Sequence, residues 1–128
     1  MRYVIDSWAW IEYLIGSTYG EKVRQIVENE ENEIFTCVLN IAEVISMTKR
    51  ENKASDSAYK TIISLSKISA ISGDLSKNVG LLHAEIRKTK KDFGLIDAFV
   101  LMTARELKAK VITGDEHFLD MKEVIMIK

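Results

Sequence analysis

Apolar residues along this chain recur with two different periods. In some stretches they return every three or four positions, as do Ile96, Phe99 and Val100, and this spacing predicts helices. Elsewhere they form short β-prone runs that predict strands. The predicted strands cover 2–6, 33–38, 68–72, 110–113 and 124–127. The predicted helices cover 7–15, 19–30, 41–51, 54–68, 75–91 and 95–108.

Strands that alternate with helices predict the α/β fold class. We expect a central, mostly parallel sheet of four to five strands with helices on both faces, in a three-layer α/β/α arrangement. The length of 128 residues fits a single domain that spans residues 1–128, and no Pro/Gly/Ser-rich linker divides it. Ligands of such sheets bind at the carboxyl ends of the strands, so candidate chemistry is sought there.

The composition is that of an ordinary globular protein, with 47% hydrophobic and 29% charged residues. Cys37 is the only cysteine, which excludes an intrachain disulfide and favours a buried, structural thiol. No apolar stretch approaches the roughly 18 residues of a membrane span, and the first strand leaves no room for a signal peptide. A cytoplasmic protein is therefore expected. The net charge of −1 argues against extensive basic wrapping of nucleic acid but permits a local basic patch.

Four acidic residues follow predicted strands or begin predicted helices: Asp6, Glu43, Asp97 and Asp115. Because the carboxyl ends of parallel strands meet at one edge of a sheet, we expect these side chains to converge. Carboxylates held close together repel one another, and their pKa values rise unless a cation neutralises them. A cluster of oxygen ligands without His or Cys suits Mg²⁺ or Mn²⁺, which can activate a water against a phosphodiester.

Each acid also has a structural explanation. Glu43 stands three residues after Asn40, a predicted N-cap, and could complete a capping box. Asp115 could cap a short helix that follows it, and Asp97 would favour the positive end of a helix dipole in any orientation. Asp6 is the hardest to explain in this way, because an aspartate at the end of a central strand is unfavourable without a purpose.

The segments that contain these acids resemble the PIN-domain ribonucleases, and within them the small VapC-type toxins of prokaryotic toxin–antitoxin pairs. The resemblance spans the whole chain, and it rests on the ordered set of segments more than on any one motif. The segments are Tyr3-Val4-Ile5-Asp6-Ser7 with Trp10-Ile11, Asn40-Ile41-Ala42-Glu43-Val44, Leu95-Ile96-Asp97-Ala98-Phe99-Val100, and Val111-Ile112-Thr113-Gly114-Asp115-Glu116-His117-Phe118.

This resemblance implies a Mg²⁺- or Mn²⁺-dependent endoribonuclease that is the toxin of a type II toxin–antitoxin system. Its implied partners are RNA as the substrate, a cognate antitoxin protein and a second copy of the chain in a homodimer. The acids Asp6, Glu43 and Asp97 would be the core metal ligands, and Asp115 would be the fourth acid.

The resemblance also implies supporting residues. Ser7 and Thr113 match hydroxyl positions that support the site in the family. Ser7 could also be the N-cap of helix 7–15, and the two roles are compatible. The family often places Ser or Thr shortly before the glutamate, whereas here Asn40 stands closer than Thr36. The polar partner of Glu43 is therefore left open.

A basic cluster precedes the turn that leads to Asp97, and its members are the candidates for contact with the RNA backbone. They are Arg87, Lys88, Lys90 and Lys91. Basic residues near the end of a helix are also common for reasons of the helix dipole alone. His83 is interpreted as structural. His117 follows Asp115 closely, but one imidazole without a nearby nucleophile does not make a general base.

Two other functions are weighed. A non-catalytic PIN module could bind RNA or a partner protein, but such a module has no need of a repulsive acidic cluster. A phosphatase with Asp6 as its nucleophile is disfavoured, because position 8 is Trp8 and the Asp-x-Asp signature is missing. The apolar helices between 41 and 68 are candidates for a dimer or antitoxin surface.

Overall fold

The first strand, β1 (Arg2–Ile5), lies at the centre of a five-stranded parallel sheet. In the computed structural model, which describes residues 1–128, β1 pairs with β2 (Glu33–Cys37) on one side and with β4 (Lys110–Thr113) on the other. β3 (Lys67–Ser69) extends the sheet beyond β2, and β5 (Val124–Met126) extends it beyond β4. The strand order is therefore β3-β2-β1-β4-β5, and all pairings are parallel. The predicted parallel α/β fold is confirmed.

Six α-helices connect the strands, and a short 3₁₀ helix at Glu116–Phe118 follows β4. The α-helices are α1 (Ser7–Ile15), α2 (Thr18–Val27), α3 (Val38–Arg50), α4 (Ser55–Leu65), α5 (Gly73–Ile86) and α6 (Leu95–Leu107). None of them is both long enough and apolar enough to cross a membrane.

Neighbouring strand residues point to opposite faces of the sheet, and this alternation separates two cores. Val4 and Val111 pack in the core that contains residues of α5 and α6. Ile5 and Ile112 pack in the core that contains residues of α1, α2, α3 and α4. The sheet is therefore covered by helices on both faces, as the predicted three-layer arrangement requires.

The start of α3 corrects one prediction. The helix begins at Val38, three residues before the predicted start, and its N-cap is Cys37 and not Asn40. The chain passes directly from β2 into α3, so Asn40 falls within the first turn, where its side chain is fully buried. The N-cap of α1 is likewise Asp6 and not Ser7, which is the first helical residue.

The end of α5 also differs from its prediction. The helix ends at Ile86 and not at residue 91, so the basic cluster lies on the turn that follows the helix. Phe93 is buried and packs edge-on against Phe118, with ring centroids 5.6 Å apart. His83 Nε2 lies 3.1 Å from the Phe93 carbonyl oxygen. Anchoring of Phe93 in the core turns the chain back before the helix can continue.

The first of two further differences from prediction, at the end of α2, arises because polar side chains offer the backbone alternative partners. α2 ends at Val27 and not at residue 30, since Asn29 accepts from the Glu31 N–H and Asn32 donates to the Ile26 carbonyl. The second lies between α4 and β3: α4 ends at Leu65 and not at residue 68, and β3 spans Lys67–Ser69 and not residues 68–72.

Candidate metal centre

Asp6 is the buried anchor of the candidate site. It follows β1 directly, it is 4% exposed, and its side chain makes no helix-capping hydrogen bond. One carboxylate oxygen, Oδ2, accepts from the Thr113 hydroxyl at 2.7 Å. The other, Oδ1, accepts from Nδ2 of Asn40 at 3.3 Å. Asp6 is thus fixed in orientation by residues from β4 and α3.

Burial raises the pKa of Asp6 from 3.8 to about 7. The negative charges of Asp97 and Glu43 raise it further, while the hydrogen bonds from Thr113 and from the Ser7 backbone oppose the shift. Asp6 therefore lies within electrostatic reach of two of the other predicted acids, and a cation bound beside it would favour its ionised form.

Glu43 lies on α3 and reaches back towards the end of β1. Its Oε1 accepts from the Ser7 hydroxyl at 2.6 Å and from Nδ2 of Asn40 at 3.1 Å. The donor from Asn40 is the side-chain amide and not the backbone N–H, so the capping box considered from sequence is wrong. The open question of the polar partner of Glu43 is answered by Ser7 and Asn40 together.

Asn40 is the site residue that sequence reasoning missed as such. Its side-chain nitrogen, which has two hydrogens, donates to the Ser7 hydroxyl at 2.7 Å and shares its donors with Glu43 and Asp6 at 3.1 and 3.3 Å. The sequence did contain a signal for this role. Asn40 is a polar residue one helical turn before Glu43, and no glycine or proline lies between the predicted strand and the predicted helix. That signal was interpreted as a cap.

Asp97 lies in the first turn of α6, and its Oδ2 accepts from the Gly94 backbone N–H at 3.0 Å. This bond caps the helix, whereas the structural explanation had considered only the helix dipole. The same oxygen lies 3.4 Å from Nδ1 of His117. Burial raises the pKa of Asp97, and the charge of Asp115 raises it further, while the Gly94 N–H and His117 oppose the shift. Capping and a place in the acidic cluster are therefore compatible.

Asp115 and His117 lie beside Asp97 and form a group with it. Oδ1 of Asp115 accepts from the His117 backbone N–H at 2.9 Å and caps the 3₁₀ helix, as its structural explanation expected. The same oxygen lies 3.4 Å from Nδ1 of His117. One ligand atom from each of Asp97, Asp115 and His117 lies within 4.8 Å of the others. The sequence interpretation expected a cluster of oxygen ligands alone, whereas the structure also brings an imidazole nitrogen next to two of the acids.

Thr113 connects the group around Asp6 with the group around Asp115. Its hydroxyl donates to Asp6 and accepts from the Asp115 backbone N–H at 3.0 Å. Asp6 and Glu43 are not within the tight group formed by Asp97, Asp115 and His117. The predicted acids thus form two adjacent pairs. Asp6 and Glu43 form the first, together with Ser7 and Asn40, and Asp97 and Asp115 form the second. Thr113 lies between the two pairs. Carboxylates with one imidazole are a donor set that fits a divalent cation.

Three of the four basic candidates for RNA contact have partners within the protein. The Lys90 ammonium donates to the Leu119 carbonyl at 2.8 Å, Lys88 pairs with Glu85 at 3.0 Å, and Arg87 donates to the Phe93 carbonyl at 3.5 Å. Lys91 is exposed on the same turn.

A family model described as "PIN domain" matches residues 3–124, which is nearly the whole chain. A comparison with curated proteins finds no match to the sequence.

Several solved structures share the fold. A toxin–antitoxin complex from Klebsiella pneumoniae superimposes with a TM-score of 0.75 at 20% identity, over 98% of each chain. VapBC2 from Rickettsia felis, bound to a DNA fragment from its promoter, gives 0.74 at 17% identity over 98% of this chain and 97% of that one. VapC20 from Mycobacterium tuberculosis, a toxin that cleaves the sarcin–ricin loop, gives 0.71 at 12% identity over 91% and 92%. At these identities the likeness concerns the fold.

Proposed function

Because this chain belongs to the PIN domain family, we propose that it is a Mg²⁺- or Mn²⁺-dependent endoribonuclease and the toxin component of a type II toxin–antitoxin system. The observation that carries the proposal is the environment of Asp6. A carboxyl that is buried and adjacent to Asp97 and Glu43 has a pKa of about 7, which is costly to ionise without a counter-charge. A divalent cation at this position would supply that charge.

The proposed catalytic residues are the four acids, and they are also the proposed metal ligands. They are Asp6, Glu43, Asp97 and Asp115. Ser7, Asn40 and Thr113 hold the carboxylates of Asp6 and Glu43 in fixed orientations through the hydrogen bonds described above. When bound, the ion would activate a water molecule and offset negative charge on the scissile phosphodiester.

The substrate proposed is RNA, and the basic turn after α5 is the proposed contact with its backbone. Lys91 is the member best placed to bind a phosphate. Arg87, Lys88 and Lys90 would first have to leave their present partners. A cytoplasmic location belongs to the same proposal, because the cellular RNA is found there.

The proposed antitoxin site is an apolar groove between α1 and the α3–α4 connection. Its volume is about 190 Å³, and its apolar lining includes Ile11, Leu14, Met47 and Ala58. An amphipathic segment of an antitoxin would bury its apolar face there. One of the similar structures is described as a toxin–antitoxin complex, which supports a partner of this kind.

Cleavage of a pool of random-sequence RNA oligonucleotides, with Mg²⁺ or Mn²⁺ added, tests the proposal. The wild type should cut the pool, and Asp6→Asn and Asp97→Asn should each lower the rate by about a hundredfold or more, because each removes a charge at the site. Asp74→Asn is the matched control, since Asp74 also lies in the first turn of a helix but is exposed on α5.

Equal cleavage by the wild type and both site variants would overturn the assignment of the acids. Absence of cleavage by a folded wild type, together with RNA binding that the site variants retain, would favour the non-catalytic PIN module instead.

A further inference from the structure

The imidazole of His117 lies between two acidic residues that come from different parts of the fold. Its Nδ1 atom lies 3.4 Å from Oδ2 of Asp97, on α6, and 3.4 Å from Oδ1 of Asp115, which follows β4. The local backbone sets this position, because Asp115 is the N-cap of the 3₁₀ helix that contains His117 and accepts a hydrogen bond from the His117 backbone N–H. The ring nitrogen therefore faces the carboxylates as part of the local fold.

We propose that His117 Nδ1 is a metal ligand beside Asp97 and Asp115, and that it sets which divalent cation the site prefers. This inference rests on the proposed function, because it assigns a further residue to the same centre. The family resemblance and the position of His117 in the sequence did not assign it this role.

The distances are those of neighbouring ligands of one ion, and they are long for a direct hydrogen bond. A charge-assisted hydrogen bond from an imidazolium to a carboxylate is about 2.7–2.9 Å long, and 3.4 Å is longer than that. Ligand atoms bonded to one ion at about 2.1 Å lie roughly 3.0–3.4 Å apart when they are neighbours in octahedral or tetrahedral geometry. The two separations from Nδ1 thus match neighbouring ligands of one ion.

The exposure of His117 suits an open site. Its side chain is 45% exposed, compared with 16% for Asp97 and 31% for Asp115. Three ligands from the protein on one side would leave positions on the solvent side for water or a phosphate oxygen.

A nitrogen ligand affects which divalent cation the site prefers. Carboxylate and water ligands suit Mg²⁺ and Mn²⁺ alike, whereas imidazole binds transition-metal ions better than it binds Mg²⁺. An imidazole ligand should therefore shift the site towards Mn²⁺. Loss of the imidazole should weaken Mn²⁺ binding by about tenfold or more and change Mg²⁺ binding much less.

The test is pulsed EPR of substoichiometric Mn²⁺ bound to the full chain, with isothermal titration of Mn²⁺ and Mg²⁺ on the same samples. Wild-type protein should show an imidazole nitrogen coupling, and selective ¹⁵N-histidine labelling should change that signal. His117→Gln should abolish it. His83→Gln is the matched control, because His83 is the only other histidine and its Nε2 faces the Phe93 carbonyl.

The outcomes separate this inference from the proposed function. Mn²⁺ binding without a nitrogen coupling in the wild type overturns the role of His117 and leaves the metal site intact. Tighter Mn²⁺ binding by His117→Gln also overturns it, because an imidazolium that competes with the metal would act in that direction. Failure of the folded wild type to bind Mn²⁺ at millimolar concentration overturns both. Labelling of the wild type decides the question even if His117→Gln does not fold.

Discussion

Asp6 makes the stability of the metal-free protein depend on pH. Its pKa is about 7 in the folded state and about 3.8 in the unfolded chain, so the folded state binds the proton more tightly. A raised carboxyl pKa gives a stability contribution that is complete below about pH 4 and is lost as the pH rises through about 7. Without metal, the free energy of unfolding of the wild type should therefore fall by a few kcal/mol over that range.

Urea unfolding at a series of pH values, with a chelator present, measures this effect. Asp6→Asn has no titrating group at position 6, so its profile should be distinctly flatter. Some slope should survive in that variant, because the pKa of Asp97 is raised as well. Asp74→Asn should keep the wild-type profile. A wild-type stability that rises between pH 4 and pH 7 would contradict the prediction.

The residues of the centre differ in how far the sequence could reveal them. The four acids could be predicted, because each lies next to a strand end or a helix start whose position is readable from the apolar pattern. The geometry around Asn40 and His117 could not. Whether Asn40 caps α3 or lies inside it depends on a helix start that moved by three residues. The position of His117 depends on a 3₁₀ turn that is closed by the backbone bond from the Phe118 N–H to the Asp115 carbonyl and capped by the Asp115 side chain.

At the scale of elements, α1 and α2 approach each other closely at Gly20. A Cβ atom added to Gly20 would overlap the carbonyl oxygen of Glu12 on α1, whereas one added to Gly80 on α5 would meet no atom within 4 Å. Both glycines are helical, so alanine improves the helix propensity equally at the two positions.

Gly20→Ala should therefore lower the free energy of unfolding by about 2 kcal/mol or more, because the helices must separate. Gly80→Ala should raise it by up to about 1 kcal/mol. Thermal or urea denaturation of both variants measures the difference. Equal effects of the two substitutions would show that the α1–α2 contact tolerates a methyl group.

The existence and order of the elements could be predicted more fully than their ends. All five strands and six helices were predicted in the correct order, because long periodic stretches and β-prone runs are local signals. The predicted ends of α2 and α5 were wrong, because helix ends depend on tertiary contacts such as the burial of Phe93 after α5. A short stretch of sequence does not show which distant residues will make those contacts.

For the whole molecule, the α3–α4 face has exposed apolar residues that a second copy could cover. Val38 and Tyr59 line one surface groove, and they are 41% and 46% exposed. Ile63 follows Tyr59 by one helical turn and is 42% exposed. Aromatic and aliphatic side chains grouped in this way are typical of protein interfaces. We expect this face to form the homodimer, separately from the groove proposed for the antitoxin.

Sedimentation equilibrium at micromolar concentration should then give twice the chain mass of 14.6 kDa. The double variant Tyr59→Glu with Ile63→Glu should sediment as a monomer, because four buried like charges per dimer are too costly to desolvate. Leu81→Glu is the control, since Leu81 is 65% exposed but lies on α5. It should sediment as the wild type does. A wild type that is monomeric at these concentrations would count against the homodimer, and dissociation by Leu81→Glu alone would move the interface to α5.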